Sequence, residues 1–239
     1  AWYENDGSEN FTPHSITTSA SSARSVATAD VDGDGDLDVL SASSGDDKIA
    51  WYENDGGGSF TPHTITTSAD FAYSVTTADV DGDGDLDVLS ASAADDTVAW
   101  YENDGSENFT AHTITDLADS VYAVSAADVD GDGDLDVVSA SRNSSNTIAW
   151  YENDGSENFT SHIIAASAGQ SQSVATADVD GDGDLDVLGA FLNDDKIVWY
   201  ESIATTTLDA NPTFVEGGAA VVLDSDVSIT DAELGALNS

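Results

Sequence analysis

Over residues 1–202 the apolar positions fall in short runs separated by clusters of Gly, Asn, Asp and Ser, a pattern that predicts β-strands joined by tight turns. In one unit the runs are Ser25 to Asp30, Leu37 to Ala42, Ile49 to Glu53 and Phe60 to Thr66. An aspartate-rich loop, a polar loop and the turn Asn54-Asp55-Gly56 divide them. No window carries the apolar spacing of an amphipathic helix. In the second run both parities are apolar, Leu37 and Val39 on one side and Leu40 and Ala42 on the other, so both faces of each sheet are expected to be covered.

The unit recurs. A Trp-Tyr-Glu motif begins at Trp2, Trp51, Trp100, Trp150 and Trp199, 49 or 50 residues apart, with the one extra residue in the stretch Ser141 to Thr147. A four-strand unit of this length that cannot bury both faces alone predicts an all-β fold, a β-propeller of four-stranded antiparallel blades of about 49 residues with at least four repeats. A β-solenoid competes, but its coils are shorter. Ring closure stays open between a four-bladed ring and an incomplete arc. A closed ring would take Phe11 to Thr17 as the last fourth strand and leave one Trp-Tyr-Glu strand redundant.

Charge narrows the function. Four Lys and Arg stand against 47 Asp and Glu, a formal net charge of −43. Such a surface repels phosphate backbones and anionic lipid heads, so neither nucleic acid nor direct membrane insertion is expected. There is no Cys, and no apolar run approaches a membrane span. Zero Met and a start inside a Trp-Tyr-Glu strand read as part of a larger multidomain surface protein.

The acids concentrate in four copies of DVDGDGDLDV. They supply Asp30, Asp32, Asp34, Asp36 and Asp38; Asp79, Asp81, Asp83, Asp85 and Asp87; Asp128, Asp130, Asp132, Asp134 and Asp136; and Asp178, Asp180, Asp182, Asp184 and Asp186. Two carboxylates ~5 Å apart repel by about 3 kcal/mol at an effective dielectric near 20, so an ordered loop of five calls for a cation. Oxygen-only ligands on a flexible loop favour Ca2+ over Mg2+, and about four ions are expected. In the first copy Asp30, Asp32 and Asp34 can converge, Gly35 permits the turn, Asp36 offers its carbonyl and Asp38 closes the shell. An EF-hand is excluded, because its twelfth-position Glu is replaced by Ser41, Ser90, Ser139 and Gly189.

The string D-x-D-x-D-G-x-x-D, followed by a strand within a four-strand unit, resembles the FG-GAP and VCBS repeats of integrin-type propellers and of many secreted bacterial proteins. The resemblance runs from Ala1 to about Glu201. It implies side-chain ligands at the first, third, fifth and ninth positions, a carbonyl ligand at the seventh, and an extracellular or cell-surface location. Residues 203–239 leave the repeat and resemble the opening of a cadherin-like β-sandwich repeat, or form a tail. Two segments are therefore expected, 1–202 and 203–239.

Alternating connections put the aspartate loop and the Asn-Asp-Gly turn at one end of each sheet. At the other end the units differ, over Ser21 to Arg24, Asp70 to Tyr73, Asp119 to Tyr122 and Gly169 to Gln172, and again over Ser44 to Lys48, Ala94 to Thr97, Arg142 to Asn146 and Asn193 to Lys196. Arg24, Tyr73, Tyr122 and Arg142 are the expected ligand contacts there, since Arg and aromatics dominate binding hot spots. His14, His63, His112 and His162 recur at one register, as do Glu53 and Asp55 with their equivalents, and read as structural. No unit breaks the symmetry with its own acid, base or nucleophile. The expected function is a non-enzymatic, calcium-binding extracellular module for adhesion or for binding polysaccharide or protein. The alternative is an accessory or catalytic propeller of a secreted carbohydrate-active enzyme.

Overall fold

Strand-forming Val, Ile, Thr and aromatic residues bounded by Asp- and Gly-rich turns give an all-β chain in the computed structural model, which describes residues 1–142, 146–166 and 169–202. The segment 203–239, expected as a sandwich fragment or tail, lies outside the described residues. Strands β1 (Trp2–Asn5) and β2 (Phe11–His14) form a two-stranded sheet. Three four-stranded sheets follow. The first holds β3 (Ala23–Ala29), β4 (Asp38–Ser43), β5 (Lys48–Asn54) and β6 (Phe60–Thr66). The second holds β7 (Ala72–Ala78), β8 (Asp87–Ser92), β9 (Thr97–Asn103) and β10 (Phe109–Thr115), and the third β11 (Val121–Ala127), β12 (Asp136–Ser141), β13 (Ile148–Asn153) and β14 (Phe159–Ala165). A last sheet holds β15 (Ser171–Ala177), β16 (Asp186–Phe191) and β17 (Lys196–Tyr200). All pairings are antiparallel between sequence neighbours.

The sheets stack through repeated apolar junctions. Period-two alternation sends Trp51 to one face of its sheet and Tyr52 to the other. At the first junction Leu40, Ala42, Ile49 and Trp51 meet Val75, Val88, Ala99 and Tyr101 of the next sheet. Leu89, Ala91, Val98 and Trp100 meet Val124, Val137, Ala149 and Tyr151 at the second. Val138, Ala140, Ile148 and Trp150 meet Val174, Val187, Val198 and Tyr200 at the third. Covering both faces is what the two apolar parities predict. Each buried tyrosine hydroxyl is satisfied by a serine one strand away, as in Tyr52 Oη to Ser41 Oγ at 3.2 Å.

The first strands β3, β7, β11 and β15 lie side by side in chain order. Among the described residues no sheet closes on itself and β15 does not lie against β3 in the same way. The histidines are clamps, as their common register suggests. His63 stacks on Trp51 with ring centroids 4.4 Å apart, and its Nε2 lies 2.8 Å from Glu53 Oε2. The same trio recurs at His14, His112 and His162.

One device is not visible in the apolar pattern. Every complete first strand begins with a bulge that leaves Arg24, Tyr73, Tyr122 or Gln172 without a partner across the ladder. Two residues before each, Ser22, Phe71, Ser120 and Gln170 hold φ between 52° and 59°, with no glycine to announce the turn. A bulge redirects a side chain without altering the rest of the sheet.

Candidate metal centres

The loop between first and second strands is organised by its own carboxylates. Asp30 Oδ2 accepts from Gly35 N at 3.0 Å, Asp32 Oδ1 from Asp34 N at 3.1 Å and Asp34 Oδ1 from Asp36 N at 2.8 Å. Gly35 holds φ 97°, outside the range that an L side chain tolerates. The coil brings the first, third and ninth positions together, as Asp30/Asp32/Asp38, Asp79/Asp81/Asp87, Asp128/Asp130/Asp136 and Asp178/Asp180/Asp186. Within each trio one oxygen per residue lies within 4.8 Å of the others.

The fifth-position residues Asp34, Asp83, Asp132 and Asp182 and the seventh-position Asp36, Asp85, Asp134 and Asp184 are outside these trios. The Asp36 side chain is turned to the Asn-Asp-Gly turn, where a Cβ on Gly56 would collide with its carboxylate, and Asp85 and Asp134 sit likewise against Gly105 and Gly155. That orientation leaves the carbonyl as the group the seventh position can offer.

The ninth position anchors each loop. Asp87 is fully buried and accepts from Val80 N at 2.9 Å and Asn103 N at 2.8 Å; Asp38, Asp136 and Asp186 repeat the pair of contacts. Burial pushes the Asp87 carboxyl up to about 6 despite these donors, and raises Asp38 and Asp136 as well. Asp30 Oδ1 and Asp79 Oδ1 are buried with no hydrogen-bond partner. A buried carboxylate beside two others and an orphaned oxygen form an oxygen-only donor set that fits a hard divalent cation. When bound, the ion supplies the positive charge that the trio lacks.

The loops also tie neighbouring sheets. Asn103 Nδ2 donates to Leu86 O in its own unit at 3.3 Å and to Val31 O in the preceding loop at 3.1 Å. Asn153 does the same with Leu135 O and Val80 O. Val31 and Val80 are themselves buried in the junctions. In the sequence the Asn of Asn-Asp-Gly reads as a turn residue only; its recurrence in every unit is the signal that points further.

A pH dependence follows. The Asp87 carboxyl binds a proton more tightly when folded, so the metal-free protein gains stability as pH falls from 7 toward 4.5, through the folded value of about 6. Asp55, Asp104 and Asp154 are shifted down by hydrogen bonds from backbone and Asn donors, and their contribution is lost only below the ordinary carboxylate range. With calcium saturating, protons compete with the ion and acidification destabilises. Urea melts at several pH values, with EDTA and with calcium, should therefore slope in opposite directions.

At the opposite end of the sheets the four residues expected to contact ligand come together. The Arg24 guanidinium carbon lies 5.1 Å from the Tyr73 ring centre and 5.5 Å from that of Phe71. Tyr73 and Tyr122 have centroids 4.1 Å apart, and the Arg142 guanidinium sits 3.9 Å from the Tyr122 centre. Arg24, Tyr73 and Tyr122 are all bulge residues, which is why three successive sheets aim them at one another. Phe71 was not foreseen. Arg142 Nε and Gln172 Nε2 are buried with no hydrogen-bond partner.

The family model described as FG-GAP-like repeat matches residues 1–41, 30–90, 79–139 and 128–189. No curated protein matches the chain. Among solved structures it is similar to the biofilm matrix protein Bap1 of V. cholerae, at 22% identity and TM-score 0.45, over 69% of this chain and 23% of that one. It is similar to the rhamnogalacturonan lyase YesW at 17% identity and TM-score 0.46, over 71% and 41%. It is similar to a protein from Lactobacillus plantarum at 12% identity and TM-score 0.51, over 87% and 63%. The chain thus spans less than two thirds of each, and likeness at this identity concerns fold alone.

Proposed function

The chain belongs to the FG-GAP-like repeat family, and on that premise we propose that it is a non-enzymatic, extracellular calcium-binding module whose sheets are the blades of a β-propeller. Calcium in the four aspartate loops stiffens a scaffold, and the opposite end of that scaffold binds a polysaccharide or protein ligand in an adhesive role. The observation that carries this reading is the division of each sheet into two ends. One end repeats the same acidic trio four times. The other end varies at the bulge position, as Arg24, Tyr73, Tyr122 and Gln172, on an otherwise repeated framework. A varying side chain on a rigid repeat is where specificity resides. The unpartnered donors Arg142 Nε and Gln172 Nε2 favour a ligand rich in acceptor oxygens.

The test is a glycan and protein array, read with calcium present, beside a polysaccharide-degradation assay. Binding without degradation is expected. Replacing Tyr73 and Tyr122 together by Ala should weaken binding at least tenfold. Unchanged affinity for every captured ligand would remove the face assignment, and turnover of a polysaccharide would favour a carbohydrate-active enzyme instead.

A further inference from the structure

We infer, on the reading of the variable end of the sheets as the ligand face, that its ligand is an acidic polysaccharide whose carboxylates are received by Arg24 and Arg142 on either side of the Tyr73–Tyr122 pair. Charge is divided between the two ends of the sheets. Of the four basic side chains, Arg24 stands at the start of β3, Lys48 and Lys196 open β5 and β17, and Arg142 follows β12, so all four lie at the end opposite the aspartate loops. Lys48 and Lys196 are held by Asp46 at 2.8 Å and by Asp194 at 4.0 Å. Neither arginine has a carboxylate partner among the described residues.

Both arginines are placed in advance for an anion. The Arg142 backbone N–H donates to Ser120 O at 2.9 Å, the guanidinium rests 3.9 Å from the Tyr122 ring centre, and its Nε is buried with no hydrogen-bond partner. Arg24 gives its Nε–H to Ser44 Oγ at 2.9 Å, which holds the guanidinium plane and leaves the terminal amino groups of the fork to a ligand. Gln172 Nε2 adds another buried donor with no partner. Unpaired buried donors are costly, and a guanidinium fork matches the two oxygens of a carboxylate. Nearby acids are engaged elsewhere, for Asp47 Oδ1 accepts from Phe71 N at 2.9 Å and Asp96 Oδ1 from Ser120 N at 2.7 Å. A strand such as β3 is roughly 20 Å long, against a screening length of about 8 Å in physiological salt, so the aspartate loops at the far end do not decide what this end attracts.

The same arrangement suits a sugar chain better than a peptide. An extended peptide brings a backbone N–H with nearly every residue and commonly pairs it along a free strand edge. Strands β3, β7, β11 and β15 lie side by side in chain order, so the bulges that carry Arg24, Tyr73 and Tyr122 offer no such edge. The cluster presents donors and two phenol rings with centroids 4.1 Å apart. Carboxylate, ring and glycosidic oxygens of an acidic sugar chain accept from such donors, and the C–H faces of its rings pack on the apolar bodies of the tyrosines.

Fluorescence anisotropy of end-labelled oligogalacturonate and oligomannuronate, each beside its fully methyl-esterified twin and beside polyglutamate, is measured with the full chain in calcium and physiological salt. The free-acid oligomers should bind at least about tenfold more tightly than their esters. Arg24→Gln and Arg142→Gln should each weaken acid binding about tenfold or more and leave ester binding unchanged. Arg142→Lys keeps the charge without the fork and should fall between. Unchanged melting in calcium checks that the variants keep the fold. Equal affinity for acid and ester, no binding of either acid, polyglutamate bound as tightly, or acid binding that survives both arginine substitutions would each overturn the inference. Should the esters bind as well as the acids, and lose binding only when Tyr73→Ala and Tyr122→Ala are combined, the ligand face stands and its acidic ligand falls. Should acid binding survive the tyrosine pair as well as the arginine substitutions, both fall.

Discussion

Chelating calcium lowers the melting temperature of the protein by more than about 15 °C relative to millimolar calcium. Each site occupied only in the folded state adds about 2.7 kcal/mol when the ion stands a hundredfold above Kd. Four sites then contribute on the order of 10 kcal/mol, comparable with the whole stability of an ordinary domain. At roughly 2–4 °C per kcal/mol for a chain of this size, the shift is large. The loops make it larger than a local effect. Asp38, Asp87, Asp136 and Asp186 hold the loop to the turn after the third strand, and Asn103 and Asn153 carry that hold to the preceding loop. Loss of the ions should loosen the junctions as well as the loops, so hydrogen exchange around Val31 and Val80 should speed up together with the loops. Superimposable melts with EDTA and with calcium would remove the ion from the scaffold.

Replacing Asp87 by Ala costs about 3–5 kcal/mol in calcium. The substitution removes one carboxylate of a trio and leaves the amides of Val80 and Asn103 buried without their acceptor, each at a cost of about 1–3 kcal/mol. With EDTA the same substitution costs less, because an ionised carboxylate raised to about 6 carries roughly 3 kcal/mol of penalty at neutral pH when no cation faces it. Asp85→Asn serves as the comparison. Its side chain faces the Gly105 turn and stands outside the trio, so its effect stays below about 1 kcal/mol. Urea unfolding in both conditions measures the difference. Equal losses for the two substitutions would show that the ninth position has no special role.

The repeat, the strand order and the acidic loops were legible in the sequence because each is written in a local, periodic signal. Alternation at Leu40 and Ala42 against Val39 located both covered faces, and five aspartates at every second position located the trios. The features missed depend on contacts between units or on backbone shape without a residue signature. Ser22, Phe71, Ser120 and Gln170 adopt left-handed φ with side chains that rarely do, so the bulges at Arg24, Tyr73 and Tyr122 had no glycine to mark them. Asn103 reaches a loop 72 residues away in sequence, and no local pattern reports such a bond. The ninth-position aspartates look like the other four in each string, yet burial separates them from the exposed members of the same loop. The trios unite the first, third and ninth carboxylates, while Asp34 and Asp36 with their equivalents stand apart from them, the seventh position with its side chain turned away and its carbonyl left to offer.

Calorimetric titration of calcium into metal-free protein counts the sites themselves. Four ions per chain for the unaltered protein and three for Asp87→Ala are the predicted result, with heat released at each trio. No uptake by the unaltered chain, or equal uptake by both, would contradict the assignment of the aspartate trios as calcium centres.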